Sequence, residues 1–337
     1  MPSIPASLPT RRLVASLGLL LVAVCMPVCA QVHPGQAQLV SEVAKDTGKS
    51  PKALNALLDR AQKQQSILDA ISRPAEGKPW KEYRPIFLTD KRINDGVAFY
   101  REHRDLLERT AKQYGVPAEY IVAIIGVETS YGRNTGKYKV LDALVTLGLY
   151  YPPRATFFRD QLKTLLELPA SQLGGPIDTL TGSYAGAQGW GQFMPSSIRD
   201  YGVDADGDGH IDLKNSLPDI FASVANYFAK HGWQTGGPVA LPAQADAAAK
   251  PISVGDSSPQ WPLEQLEAWG YTSAQPLNPG APTSLQSLEG ANGMEYWFTF
   301  QNFYVITKYN RSPLYALAVH ELAQEIAEGV RMADARQ

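Results

Sequence analysis

Apolar residues recur at intervals of three and four along much of the chain, the spacing that lines one side of a helix. After Ser50-Pro51, a cap followed by proline, Leu54, Leu57, Leu58 and Ala61 form such a stripe and predict a helix reaching about Ile71. Arg73 to Trp80 reads as a loop. A longer helix is predicted from Thr89 or Asp90 to a stop at Gly115, with Ile93, Val97, Tyr100, Leu107, Ala111 and Tyr114 on one side. Leu141 to Tyr150 and Arg154 to Leu168 read as two more helices, separated by Tyr151-Pro152-Pro153. Leu217 to His231 presents Ile220, Val224, Tyr227 and Phe228 inward, and Ser312-Pro313 caps a last helix with Tyr315, Val319, Leu322 and Ile326 in its buried stripe. Two stretches break the pattern. Gly174 to Gly191 is rich in Gly, Ser and Ala and predicts irregular backbone; 237–293, dominated by Pro, Ala, Ser and Gln, predicts an inserted loop-rich lobe. Tyr296, Phe298 and Phe300 alternate as a strand does, so the expected class is mainly helical α+β.

One apolar stripe ends in an acid. Val116-Pro117 starts a helix, since proline there loses no needed hydrogen bond, and Gly132 stops it. Between them Ile121, Ile124, Ile125 and Glu128 share a face. A carboxylate on such a face must be neutralised, paired or put to use. No Lys or Arg lies on that face one turn earlier, and Arg133 is the nearest cation in sequence. Glu128 is therefore the candidate catalytic acid, with a pKa raised by apolar surroundings; the competing reading is a Glu at a frayed helix end facing water.

The 337 residues, 44% hydrophobic and 19% charged, suffice for a packed core and exclude global disorder. Arg11-Arg12 precede an apolar run, Leu13 to Val24, that is short for a bilayer span, and Val28-Cys29-Ala30 fits a cleavage site before Gln31. Residues 1–30 thus read as a signal peptide and the product as periplasmic, with lipid attachment at Cys25 as the lesser alternative. The mature chain would have no cysteine and no transmembrane span. Its formal charge becomes 29 − 33 = −4, from 31 basic and 33 acidic residues less Arg11 and Arg12, which gives no reason to expect nucleic acid as a partner.

Two further stretches carry chemistry. Gly182 to Ser197 combines glycines, which admit a ligand close to the backbone, with Tyr184, Trp190 and Phe193 as faces for sugar rings and Ser183 and Gln192 as hydrogen-bonding groups. Asp204, Asp206 and Asp208, Gly209, Ile211 and Asp212 follow the opening of an EF-hand loop, with His210 offering its backbone carbonyl. Asn215 stands where that loop has its closing Glu. Oxygen donors of this kind suit Ca²⁺.

Glu128-Thr129-Ser130-Tyr131-Gly132 followed by Gly189-Trp190-Gly191-Gln192-Phe193-Met194-Pro195-Ser196 resembles the paired signature of lytic transglycosylases. Ser183 to Ala187, the loop Asp204 to Asp212, Ala225-Asn226-Tyr227-Phe228 and Lys308-Tyr309-Asn310 are similar, in order, to the membrane-bound lytic transglycosylase B family, over roughly residues 35 to 330. The resemblance implies a lysozyme-like catalytic domain that cuts the glycan of peptidoglycan between N-acetylmuramic acid and N-acetylglucosamine, leaving 1,6-anhydro ends. It implies Glu128 as sole acid and then base. Ser183, Gln192, Tyr227, Tyr309 and Asn310 would bind or orient the sugars, Met194 would line the groove, and Asp219 would close the metal loop, so that the metal stretch is 204–219. Gln188 departs from the family pattern. The expected division is an N-terminal helical region 31–115, a catalytic core 116–236, the lobe 237–293 and a closing strand and helix in 294–337. The rival functions are a hydrolytic muramidase, which needs a second carboxylate, and a non-catalytic peptidoglycan-binding protein, which needs no Glu128.

Overall fold

The computed structural model describes residues 32–72, 77–252 and 255–336. The expected signal segment, its cleavage site and the alternative lipid site at Cys25 lie outside the described residues. The chain opens with α1 (Gln36–Thr47), α2 (Pro51–Leu58), α3 (Gln65–Ile71) and α4 (Trp80–Phe87). Then come α5 (Asp90–Glu102), α6 (Arg104–Tyr114) and α7 (Ala118–Thr129). A short antiparallel pair, β1 (Tyr138–Lys139) with β2 (Thr181–Gly182), brackets α8 (Val140–Tyr150) and α9 (Ala155–Glu167). After α10 (Pro195–Tyr201) and α11 (Leu217–Lys230) the chain enters a β lobe. It returns through α13 (Gln301–Tyr309) and α14 (Pro313–Asp334), α12 (Leu263–Ala268) belonging to the lobe.

The centre of the main core is α7. Tyr120 to Gly126 are all buried, because an unbroken apolar run can be covered on every side. α5, α6, α11 and α14 surround it. The stripe read from Ile121, Ile124 and Ile125 is thus one side of a helix that has no solvent face there.

Three expected elements differ. The single helix predicted from Ser50 to Ile71 is two, because side chains of α8 intercept the backbone between them. The amides of Gln62 and Gln64 donate to Asp142 Oδ1 and Thr146 Oγ1, each at 3.0 Å, instead of to carbonyls one turn back. The helix predicted from Thr89 to Gly115 bends at His103 (φ −111°, ψ 18°), so that α5 lies against α14 and α7 while α6 lies against α11. Trp80, expected to end a loop, starts α4: its ring is buried and its Nε1 donates to Glu295 Oε2 of the lobe at 3.1 Å.

The loop-rich lobe expected over 237–293 is instead a five-stranded antiparallel sheet reaching Thr299. Its order is β4 (Trp261–Pro262), β6 (Pro282–Gly290), β7 (Gly293–Thr299), β3 (Ala240–Ala245), β5 (Tyr271–Thr272). Phe298, Leu285, Leu263, Leu266, Tyr271 and Phe300 form its small core, while Trp297 and Leu288 pack on the main one. Thr283, Ser284, Leu285 and Gln286 are consecutively buried, so the first half of β6 shows no inside–outside alternation to read.

Close packing positions the end of α7. The ring of Tyr131 fills the space left by Gly96 of α5 and Gly126 of α7, and its hydroxyl donates to the Arg92 carbonyl at 2.8 Å. A Cβ on Gly96 would fall 2.4 Å from Tyr131 Oη and 2.7 Å from Ile326 Cδ1. Gly96→Ala should therefore destabilise the protein by about 1–3 kcal/mol despite the gain in helix propensity. Urea unfolding should show a lower midpoint with an unchanged slope; a higher midpoint would refute the clash.

Candidate active site

Glu128 is the penultimate residue of α7, and the backbone beyond it turns sharply. Ser130, Tyr131 and Gly132 are successively left-handed, at φ 52°, 61° and 77°. The amides of Ser130 and Tyr131 reach back to the carbonyls of Gly126 and Ile125 at 3.1 and 3.2 Å, the closing pattern of a helix C-terminus. Two side-chain-bearing residues in this region are strained, and neighbours hold them. Thr129 Oγ1 accepts from the Gly132 amide at 3.0 Å and lies 3.0 Å from the Trp190 carbonyl. The Trp190 indole covers Gly132 so closely that a Cβ there would sit 2.3 Å from the ring.

The glycine-rich stretch is thereby fixed to the end of α7. Gln188 and Phe193 exchange backbone hydrogen bonds at 2.9 and 2.8 Å, and the Trp190 amide donates to Leu213 at 3.0 Å. Gln188, the departure noted in the sequence, is buried. Gln192 is left-handed (φ 52°), and its amide donates to the carbonyls of Gly189 and Thr135 at 2.9 and 3.3 Å. Ser183 Oγ accepts from the amides of Ala187 and Ala185 at 3.1 and 3.3 Å. Of the three rings expected to face sugars, Phe193 is buried and Trp190 half-buried against the core; Tyr184 is exposed.

Glu128 is half-buried, and its Oε1 accepts a 2.5 Å hydrogen bond from the Tyr315 hydroxyl of α14. Burial pushes its pKa up to about 7, against the lowering effect of that hydrogen bond. No second carboxylate contributes to the shift. Arg133 pairs with Asp95 instead. Tyr309 lies close enough for the Glu128 charge to raise its pKa, after burial, and its hydroxyl donates to the Gly191 carbonyl at 2.6 Å. Tyr227 packs on Tyr309 with centroids 4.7 Å apart and donates to the Lys308 carbonyl at 2.6 Å. The arrangement is a proton-holding carboxyl in a phenol-lined cleft.

The acidic loop gathers a second set of charges. One carboxylate oxygen each of Asp204, Asp206 and Asp219 lie within 4.8 Å of one another. Asp219 is 1% exposed, and its oxygens accept from the amides of Ala205 and Asp212, both at 2.8 Å. Burial and the Asp206 charge raise its pKa against those bonds. No Lys or Arg pairs with any of the three among the described residues, so the donor set fits a hard cation. Asn215 donates to Asp212 Oδ2 at 2.8 Å, which leaves the closing position to Asp219. Asp208 and His210 are exposed, and their side chains do not join the three converging carboxylates.

A family model described as the transglycosylase SLT domain matches residues 31–324. The chain is 40% identical over 305 residues to membrane-bound lytic murein transglycosylase B of Escherichia coli (strain K12), covering 88% of this chain and 83% of that protein. The chain belongs to the SLT transglycosylase family. The lytic transglycosylase SltB1 from Pseudomonas aeruginosa, solved in a catenated form, superposes with a TM-score of 0.82 at 50% identity, over 88% of this chain and 97% of that one. The Escherichia coli lytic transglycosylase Slt35 in complex with calcium superposes with 0.80 at 39%, over 88% and 94%. The mainly helical α+β class expected from the sequence is the one this SLT chain has.

Within this SLT domain the structure brings Glu128, Tyr309 and Tyr227 together, while Ser183 and Gln192 spend their polar groups on backbone bonds. Met194 and Asn310 are half-buried, at the start of α10 and the end of α13, and neither bonds Glu128 among the described residues. Tyr315 escaped the sequence analysis as a site residue, having been placed in the buried stripe of the last helix. The available signal was its hydroxyl, which a buried tyrosine must satisfy somewhere.

The raised pKa has a consequence for stability. With about 7 folded against an ordinary 4.5, Glu128 holds its proton more tightly in the folded state. Its contribution is complete below pH 4.5 and is lost as pH rises to 7. The loss is about 1–3 kcal/mol, the carboxyl keeping part of its solvent contact. Glu128→Gln should therefore raise the melting temperature relative to the parent at pH 8 but not at pH 4. Equal differences at both pH values would mean an ordinary carboxyl.

Proposed function

We propose that the chain is a lytic transglycosylase that cleaves the β-1,4 bond between N-acetylmuramic acid and N-acetylglucosamine in peptidoglycan and leaves 1,6-anhydro ends. The observation that carries this reading is Glu128: one carboxyl, raised to about 7 by burial and held by Tyr315, with no second carboxylate acting on it. Ordinary glycosidases pair an acid with a nucleophile or a base that handles water. A single carboxyl suffices when the substrate brings its own nucleophile. Protonated Glu128 gives its proton to the departing glycosidic oxygen as the C1–O bond breaks, and the substrate's acetamido oxygen stabilises the anomeric carbon. The Glu128 carboxylate then takes the proton from the 6-hydroxyl as O6 bonds to C1, so no water is consumed. A pKa near neutrality serves both halves of this cycle. Tyr315 and Tyr309 orient Glu128 and wall it from solvent; Tyr227 steadies Tyr309, with Ser183, Gln192, Met194 and Asn310 lining the approach to the sugars. Export to the periplasm through residues 1–30 agrees with such a substrate.

Asp204, Asp206 and Asp219 are the residues that would hold Ca²⁺, as a hard ion bound by oxygen. It would tie the 204–212 loop to the start of α11 and supply rigidity rather than chemistry.

Digestion of peptidoglycan in ¹⁸O-labelled water should release anhydro-ended products free of label. Labelled reducing ends would establish a hydrolase instead. Glu128→Gln should lower turnover by about 10²-fold or more, and a variant within a few-fold of the parent would make Glu128 structural. For the metal, a chelator should lower the melting temperature by several degrees and Ca²⁺ restore it, since a ligand at 100 times its Kd adds about 2.7 kcal/mol. Asp206→Ala should abolish that response; an identical melt of metal-loaded protein with and without chelator would reduce the loop to an acidic turn.

A further inference from the structure

The glycine-rich stretch borders a cavity that the phenol-lined cleft does not share. About 220 Å³ in volume, it lies between Gln188-Gly189, the 172–181 segment and the end of the acidic loop. Lys214 and Asn215 are exposed at its mouth, and Gln188, Ile198, Ile211 and Leu213 are its buried lining. None of Glu128, Tyr227, Tyr309 and Tyr315 lines it, so the acid–base cycle makes no use of it.

Gln188 singles this cavity out. It is 7% exposed, and its Nε2 is buried without a hydrogen-bond partner. Among the described residues its side chain forms no hydrogen bond, although its backbone is paired with Phe193 through both amide and carbonyl. A buried amide in this condition calls for a partner, because water is excluded while its polar groups go unmet. Its neighbours are engaged elsewhere. The amides of Lys214 and Asn215 and Asn215 Nδ2 donate to Asp212 at 2.9, 2.9 and 2.8 Å. Lys214 Nζ lies 3.4 Å from Thr181 Oγ1. A single ordered water needs about 15 Å³ or less of such a space, so the cavity has room for more.

The lining selects the ligand. Gln188 carries a donor and an acceptor side by side, a pattern that a second amide answers with its own C=O and N–H. Asp212 and Lys214 put one negative and one positive charge on the wall, which favours neither an anion nor a cation. Leu180, Ile198, Ile211 and Leu213 supply apolar contact for an alkyl group. We propose that this cavity is a second ligand site, taking a small neutral molecule that bears an amide, with Gln188 as the residue that recognises it. Gly189 joins the site to the reaction centre: it lines the cavity, its carbonyl accepts from the Gln192 side chain at 2.9 Å, and the next residue, Trp190, covers Gly132. An occupant therefore borders the segment that holds the turn beyond Glu128, without entering the cleft at Glu128 itself. The inference stands whichever reaction Glu128 serves.

The test titrates the ¹⁵N-labelled protein with three small probes, N-methylacetamide, acetate and methylammonium, and follows its amide signals by NMR. N-methylacetamide should move the Gln188 side-chain signal saturably, together with the Leu213 backbone amide, and neither ion should move them. Gln188→Leu, which keeps most of the volume and removes the amide, should lose the Leu213 shift while turnover of peptidoglycan stays that of the parent. If that variant melts early, Gln188→Met, unbranched like the parent residue, should lose the shift in its place. A crystal soaked in N-methylacetamide that shows only an ordered water at Nε2 overturns the proposal. So does a Leu213 shift of equal size in parent and variant, or one produced equally by acetate, which would mark an anion site at Lys214.

Discussion

The hydrogen bond from Tyr315 to Glu128, made inside a region stripped of most solvent, is the interaction on which the rest depends. An isolated carboxylate on a core-facing helix is costly, and two remedies act here at once. The group keeps its proton up to about pH 7, and when it ionises one phenol stands ready to donate. Burial without the phenol would raise the pKa further and make the returning base harder to form. A phenol without burial would leave an ordinary acid, ionised before it could protonate anything.

Much of the architecture secures that contact. The two partners lie 187 residues apart, on α7 and α14, so the β lobe and α13 must be traversed before they meet. The strained turn after α7 holds Glu128 at the helix end, and it survives because Tyr131 is tied to Arg92 while Thr129 and the Trp190 indole both clamp Gly132. Glycines at 96, 126 and 132 serve this by their lack of a side chain, since each gives its space to an aromatic ring. The acidic loop lies between the glycine-rich stretch and α11, and Asp219 at the start of that helix holds it by accepting from the amides of Ala205 and Asp212.

The same junction that carries Tyr309 and Tyr315 toward the acid turns Lys308 and Arg311 away from it. The reaction centre and the cleft against the lobe are therefore opposite faces of one short segment. The lobe completes the second without touching the chemistry of the first.

The sequence by itself determined the local features: the central apolar helix, the acid at its end, the acidic loop with Asp219 added by family resemblance, and the mainly helical class. Each rests on spacing within a dozen or so residues, which periodicity and turn chemistry report directly. The sequence did not disclose what distant groups do to one another. Asp142 and Thr146 break a helix 80 residues earlier by taking its amides. The lobe folds as a sheet although its strands are poor in β-branched residues and the first half of β6 is buried on both faces, so no alternation survives there. Tyr315 is indistinguishable in sequence from its core-forming neighbours, and only the crossing of α14 over α7 turns its hydroxyl into a partner for the acid. Tertiary structure decided these points because a buried polar atom must find its partner wherever the chain brings one, whatever the distance in sequence.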